Sequence, residues 1–346
     1  MIPYLLVLGF VIFWINLEQK AINRKSFWLP LLILSLFAGI RSYHVGSDSI
    51  NYASNFIYHL DIYNFEFRPN VELGYQLLSY FILYLTYNYF WLFFITALIV
   101  VYCYLSIIKK YSINYSLSVF FFITLGTYTF FFNGLRQGLA MAIFVLATPY
   151  LLERKFIPYL FICVLASMFH NTALFLIPFY FLIGLKIRLI YKILISFIIS
   201  MLASSILITY LASTNEKYVT YADASEKAGG LVVLSFYTAL VFIIYLVIYL
   251  YKIKEEYFSK LFAFYSVGVV FMIPVAMLGS NPSGPQRLLP YFTWPLILLL
   301  PIMLKEINNR FIYLISIILG LAYFFLTTSR FSDLVPYTIN PIFEIF

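Results

Sequence analysis

Arg41, Arg136 and Arg287 each stand at the end of an apolar run, and Asp48, Gln137, His170 and Gln286 stand close to them in sequence or at the end of a neighbouring run. These types suit one kind of chemistry. An arginine presents fixed planar donors that grip a phosphate or carboxylate at two points, where a lysine offers only a point charge. Imidazole exchanges protons near neutral pH, and a carboxylate can orient a hydroxyl or take its proton. In "GIRSYHVGSDSINYASNF", residues 39–56, Arg41 supplies the cation, Gly46 permits a tight turn and Asp48 follows it. Asp48 reads either as an Asx-turn or helix N-cap or as a group acting on a sugar hydroxyl. In "FFNGLRQGLAMAIF", 131–144, the turn Asn133–Gly134 opens a helix on Arg136 and Gln137. Unpaired N–H groups and the positive end of the helix dipole point there, which with an arginine makes an anion site. Gly138, Ala140 and Ala142 keep that helix slim for packing alone.

His170 ends the next apolar run in "ASMFHNT", as a cap or as a general base. "GSNPSGPQRLLPYF", 279–292, is a rigid turn whose glycines and prolines explain themselves, whereas Gln286 and Arg287 call for another reason. The stretch after the last run returns Arg330, Asp333, Pro336 and Tyr337 to the same side. Among many tyrosines, Tyr43, Tyr52, Tyr75 and Tyr291 are placed to stack on sugar faces, though most fit an aromatic belt. His44 and His59 raise a three-histidine metal site, but no H-x-E, H-E-x-x-H or C-x-x-C spacing supports one, and no D-x-D pair points to a metal-bound nucleotide sugar. No metal or cofactor is expected. Cys103 and Cys163 fall in apolar runs and read as small core residues.

The elements that position these groups are set by composition. Of 346 residues 63% are hydrophobic, 21% aromatic and only 10% charged, against roughly 25% charged in a soluble domain. A bilayer core takes about 20 apolar residues per helix. Apolar segments lie near 2–16, 29–40, 89–108, 112–131, 135–152, 156–169, 172–185, 189–212, 231–251, 260–279, 290–304 and 311–327. The fold class is therefore all-α, a polytopic membrane protein of about twelve helices. One transmembrane domain spans 1–346, with outer loops 41–88, 213–230 and 280–290 and an outer tail 328–346. The first stretch lacks a basic n-region and a cleavage site, and reads as a retained span. The apolar stretch 73–85 is short and reads as a re-entrant or interfacial helix.

The net charge of +8 reports orientation before it suggests nucleic acid. With the N-terminus outside, the inner links carry eleven lysines and four arginines and the outer side five arginines and two lysines, Lys217 and Lys227. Positive-inside bias favours that orientation. The outer excess of arginine places Arg41, Arg136 and Arg287 at headgroup depth, either snorkelling to lipid phosphate or gripping an anionic substrate.

R-x-x-x-V-G-x-D with a following tyrosine (Arg41, Val45, Gly46, Asp48, Tyr52), R-Q-G-x-A (Arg136, Gln137, Gly138, Ala140), F-H-N-T-A-L (Phe169, His170), Q-R-x-x-x-Y-F (Gln286, Arg287, Tyr291) and V-P-Y (Pro336, Tyr337) occur in this order over nearly the full length. Together they resemble the EpsG-like family of exopolysaccharide and O-antigen polymerases of the Wzy type. The resemblance implies a GT-C-like membrane glycosyltransferase in the bacterial inner membrane, its active site facing the periplasm or exterior. It would transfer a glycan from undecaprenyl pyrophosphate to the nonreducing-end hydroxyl of another lipid-linked repeat unit, with inversion. Arg41, Arg136 and Arg287 would hold the pyrophosphate, and His170 or Asp48 would be the base. Gln137, Gln286, Tyr52, Tyr291 and Arg330 would orient substrate. The partners implied are the lipid-linked donor and acceptor, membrane lipids and a chain-length co-polymerase, with no nucleic acid. A ligase using the same donor shares that site; a lipid-linked oligosaccharide flippase would instead carry its charges in a cavity open to both faces.

Overall fold

The computed structural model describes residues 1–214, 230–253, 255–277, 285–330 and 332–343. Lys217 and Lys227 of the expected loop 213–230, Lys254, and 280–284 of the expected loop 280–290 lie outside the described residues. Among the described residues the regular structure is helical, as an apolar chain in lipid requires, because a helix satisfies its own backbone. Among these described residues six helices are long and apolar enough to cross a membrane: Ile2–Ile22, Phe90–Tyr111, Tyr115–Asn133, Leu231–Tyr251, Glu256–Met277 and Arg310–Arg330. A bent pair, Gln286–Thr293 with Leu296–Ile307, makes a seventh. The other apolar helices are shorter.

The chain divides into two compact units, Met1–Phe175 with Asn309–Phe346, and Leu176–Asn308. The first unit contains α1 (Ile2–Ile22), α2 (Trp28–Gly39), α3 (Ser49–Ile57), α4 (Leu73–Leu85), α5 (Phe90–Tyr111), α6 (Tyr115–Thr124), α7 (Thr127–Asn133), α8 (Leu135–Val145), α9 (Thr148–Leu152) and α10 (Phe156–Ser167). Asparagines punctuate it. Asn88 Oδ1 accepts from Phe90 N (3.0 Å) at the start of α5, and Asn114 Oδ1 accepts from Leu117 N (3.1 Å) at the start of α6. Lys109 and Lys110 sit in the last turn of α5, where the helix dipole favours cations.

Two segments that read as continuous are broken. Residues 112–131 divide into α6 and α7 at Gly126, whose φ of 79° suits a residue without a Cβ. Residues 135–152 divide into α8 and α9 just ahead of Pro149, which has no N–H to continue the ladder.

The ends of this unit differ in chemistry. At one, Lys25 Nζ donates to Lys109 O (2.8 Å) and Ser112 O (3.1 Å). At the other end of α5, about 33 Å away for a helix of this length, Asn340 Nδ2 donates to Asn88 Oδ1 at 3.2 Å. Here the chain after the helix Arg310–Arg330 straps the loop that follows α2. Ser42 N donates to Thr338 O (2.9 Å), Asn340 N to Ile40 O (2.8 Å) and Gly46 N to Asp333 O (2.9 Å). Tyr337 stacks on Phe37 with centroids 4.4 Å apart and donates its hydroxyl to Phe37 O, while Tyr4 donates to Leu334 O at 2.8 Å. Val335–Pro336 is cis.

The second unit contains α11 (Ile177–Gly184), α12 (Leu189–Thr214), α13 (Gly230–Tyr251), α14 (Glu256–Met277), a 3-10 turn Pro285–Leu288, α15 (Leu289–Thr293) and α16 (Leu296–Ile307). The helical stretch Gln286–Thr293 and α16 meet at 47° around Trp294 and Pro295, so the expected segment 290–304 is also broken. Serines a turn apart on α12 fasten it to α14, Ser196 Oγ to Val267 O (2.9 Å) and Ser200 Oγ to Phe271 O (2.5 Å). Tyr265 of α14 donates to Tyr237 O of α13 at 2.6 Å. A Cβ on Gly268 would run into the Phe292 ring, so the glycine lets α15 close on α14. α17 (Arg310–Arg330) belongs to the first unit and opens on Asn309, whose Oδ1 accepts from Phe311 N at 2.8 Å.

Candidate functional site

The strapped end of the first unit holds most of the residues that the sequence singles out. The short segment 73–85 is the key to their arrangement. Its helix α4 approaches the end of α10 so closely that Gly74 N donates to Met168 O at 2.7 Å, and a Cβ on Gly74 would meet the Met168 backbone. Gln76 stiffens the approach to α4: its Oε1 accepts from Arg68 N (2.7 Å), and its Nε2 donates to Arg68 O (3.0 Å) and Val71 O (2.7 Å). These contacts set Glu72, the residue before α4, at the centre of the site.

Arg136, in the first turn of α8, has its Nη1 2.5 Å from Glu72 Oε2, with the two side chains 27% and 9% exposed. The other carboxylate oxygen, Oε1, lies 3.4 Å from Asn171 N, the residue after His170. Tyr52, on α3, hydrogen-bonds Arg136. Tyr75 lies edge-on to Tyr52 with centroids 5.8 Å apart, and its own centroid is 6.0 Å from the guanidinium carbon. His170 Nδ1 is 2.7 Å from Thr172 Oγ1, a pairing that fixes the ring within its turn. One carboxylate thus joins Arg136, with Tyr52 and Tyr75 beside it, to the His170 turn.

Asp48 sits half-buried at the N-cap of α3, and its side chain makes no cap hydrogen bond there. Its neighbours tie it to the turn that launches α8. Ser49 Oγ donates to Val45 O (2.7 Å) and lies 3.0 Å from Phe132 O. Gly46, with φ 97°, is where a Cβ would meet Asn133 Oδ1. Asn133 in turn donates through Nδ2 to Ser332 O at 2.7 Å.

Arg41 is placed differently from the expectation of an open cation at the membrane edge. It is fully buried. Its guanidinium carbon lies 3.9 Å from the Phe93 centroid and 4.3 Å from that of Phe132, and Nη1 donates to Ala38 O at 2.5 Å. Nε and Nη2 are buried without a hydrogen-bond partner. Burial pulls its pKa down to about 10, so it remains charged at neutral pH. Burial likewise pushes the Tyr337 hydroxyl well above the ordinary phenol range.

Gln137 is buried in α8. Gln286 and Arg287 stand half-buried in the 3-10 turn of the second unit. Tyr291, on α15, is wholly buried and offers no face to a sugar. Arg330 ends α17 exposed. Of the other histidines, His44 packs on Tyr43 (4.2 Å) and His59 stacks on Tyr87 (4.7 Å). Among the described residues no three His, Cys, Asp or Glu side chains cluster as metal ligands would.

Glu72 escaped the sequence reading. The one local signal for it is an acid directly ahead of a short apolar segment, in a chain with only 14 acidic residues. An acid in that position reads first as a helix-start charge.

Helices of this length and composition, with polar and charged groups at one end of a unit, define a polytopic integral membrane protein. The family model for the EpsG family matches residues 25–339, and the chain belongs to that family. Comparison with curated proteins and with solved structures finds no match.

Proposed function

We propose that this protein polymerises a surface polysaccharide, an exopolysaccharide or O-antigen, at the outer face of the bacterial inner membrane. It would transfer the growing glycan from undecaprenyl pyrophosphate to the nonreducing-end hydroxyl of another lipid-linked repeat unit, within a GT-C-like scaffold of about twelve spans. Membership of the EpsG family supports the polymerase class. The observation that carries the mechanism is the junction of Arg136, Tyr52, Tyr75 and the His170 turn at the strapped end of one unit.

In this reading the anomeric carbon is attacked by the acceptor oxygen from the face opposite the pyrophosphate. The new C–O bond forms as the bond to the phosphate oxygen breaks, and the electron pair leaves with the lipid. Arg136 stabilises the charge that develops there, and Arg287 stays a candidate for the same role. His170 takes the acceptor proton, Asp48 being the other candidate. Tyr52 and Tyr75 present ring faces and a hydroxyl to the sugars, and Gln286 and Arg330 stay candidates for orienting substrate. Gln137 belongs to the packing around α8. Arg41 serves a different end: a buried cation against two phenyl rings stiffens the floor from which α3 and α8 start. A co-polymerase setting chain length fits this activity.

The test supplies purified protein in nanodiscs with a lipid-pyrophosphate-linked repeat unit alone and resolves the products on a gel beside His170→Ala. A ladder lost in the variant is the expected result. A ladder retained in the variant moves the base to Asp48, and no ladder from authentic substrate points to the ligase or flippase.

A further inference from the structure

Arg136 already holds an anion that belongs to the protein. Its Nη1 is 2.5 Å from Glu72 Oε2, and the carboxylate is fixed by an almost buried position, by the Asn171 amide at Oε1 and by the stapled approach to α4. Resting on the polymerase reading, we propose that Glu72 is a specificity-determining residue: a resident stand-in for phosphate that keeps ordinary phospholipid headgroups off Arg136 and yields only to a pyrophosphate.

The need for such a device follows from depth. A cation at headgroup level meets monoanionic phosphodiesters in large excess over any lipid-linked substrate. A bare arginine there would be occupied by them. A tethered carboxylate competes at high effective concentration, because it pays no translational cost to rebind. A headgroup of charge minus one gains no more from the guanidinium than the carboxylate it displaces, so it loses that contest. A pyrophosphate carries more charge and more acceptor oxygens, can engage the guanidinium at two points, and wins. Arg136 is part-exposed, which leaves a face open to the incoming group. Displaced from Arg136, the carboxylate also leaves the Asn171 amide, and it returns to both after transfer, expelling the spent lipid pyrophosphate.

The experiment measures binding of undecaprenyl pyrophosphate to full-length protein in nanodiscs of phosphatidylcholine, with and without phosphatidylglycerol, for wild type and Glu72→Gln. In neutral lipid the variant should bind about tenfold more tightly, having lost the competing charge. Added phosphatidylglycerol should weaken the variant severalfold and leave wild type nearly unchanged. In the ladder assay the variant should show a lower KM and a lower kcat, as product is retained. If Glu72→Gln fails to give a monodisperse protein, hydrogen exchange on wild type decides: undecaprenyl pyrophosphate should speed exchange at the Asn171 amide. Slower exchange there overturns the proposal, as does a variant that binds more weakly in neutral lipid or ignores phosphatidylglycerol. A wild type that makes a ladder while failing these tests removes only the role of Glu72. A wild type that neither binds the lipid nor makes a ladder removes the polymerase reading as well.

Discussion

The Arg41 guanidinium lies over the Phe93 ring, its carbon 3.9 Å from the centroid, with no acidic group in salt-bridge range among the described residues. A cation so placed is held by ring quadrupoles, a backbone carbonyl and the surrounding tyrosines. Such an interaction contributes about 2 kcal/mol when desolvated. Arg41→Lys therefore fails to substitute, since an ammonium lacks the planar face that covers a ring. Arg41→Lys and Arg41→Ala should both lower the thermal midpoint of the detergent-solubilised protein, measured by size-exclusion recovery after heating.

Arg136 separates from Arg41 in the same assay. Arg136→Ala should leave insertion and recovery near wild type while abolishing the polymer ladder, and Arg287→Ala should do the same. Unchanged product from either variant removes that arginine from the pyrophosphate role.

Thr172 supplies a subtler probe of the base. Its Oγ1 lies 2.7 Å from His170 Nδ1, so Thr172→Val removes that bond and leaves the imidazole in place. A loss of one oriented hydrogen bond predicts a rate lower by about fivefold, from about 1 kcal/mol, with KM nearly unchanged. Thr172→Ser should recover the rate. A Thr172→Val protein with wild-type kcat takes His170 out of proton transfer.

Gly74 tests the docking of α4. In Gly74→Ala the new methyl meets the Met168 backbone, which pushes α4 away and carries Glu72 with it. The expected outcome is loss of ladder formation with the protein still monodisperse. A fully active Gly74→Ala protein shows that the position of α4 does not matter to the chemistry.

Tyr337→Phe keeps the stack on Phe37 and loses the hydroxyl bond to Phe37 O. That costs about 1 kcal/mol and should show as a small drop in thermal recovery. Tyr337→Ala loses both and should expose the 332–343 segment to limited proteolysis.

Hydropathy alone located α4 at its observed bounds, Leu73–Leu85, and nearly those of α5, because length and composition decide which segments become helices. The breaks at Gly126 and Trp294–Pro295 were less visible, since a glycine or proline within an apolar run is tolerated as often as it interrupts. Arg136 and His170 stood out because a polar group in such a run needs a reason. The place of Arg41 was not legible: the rings of Phe93 and Phe132 come from helices far along the chain, and nothing near Arg41 announces them. Glu72 was hidden for the same reason, its partner lying 64 residues away.

The strap between Tyr4, Leu334 and Tyr337 sets an order of events during synthesis. The unit that carries Arg136 and His170 is built from Met1–Phe175 and Asn309–Phe346, with the whole of Leu176–Asn308 emerging between them. Its early helices must wait in the membrane, with the surface that receives α17 and the strap uncovered, until the ribosome has delivered the second unit. A chain cut short before α17 therefore leaves the first unit without the strap that ties down the loop after α2.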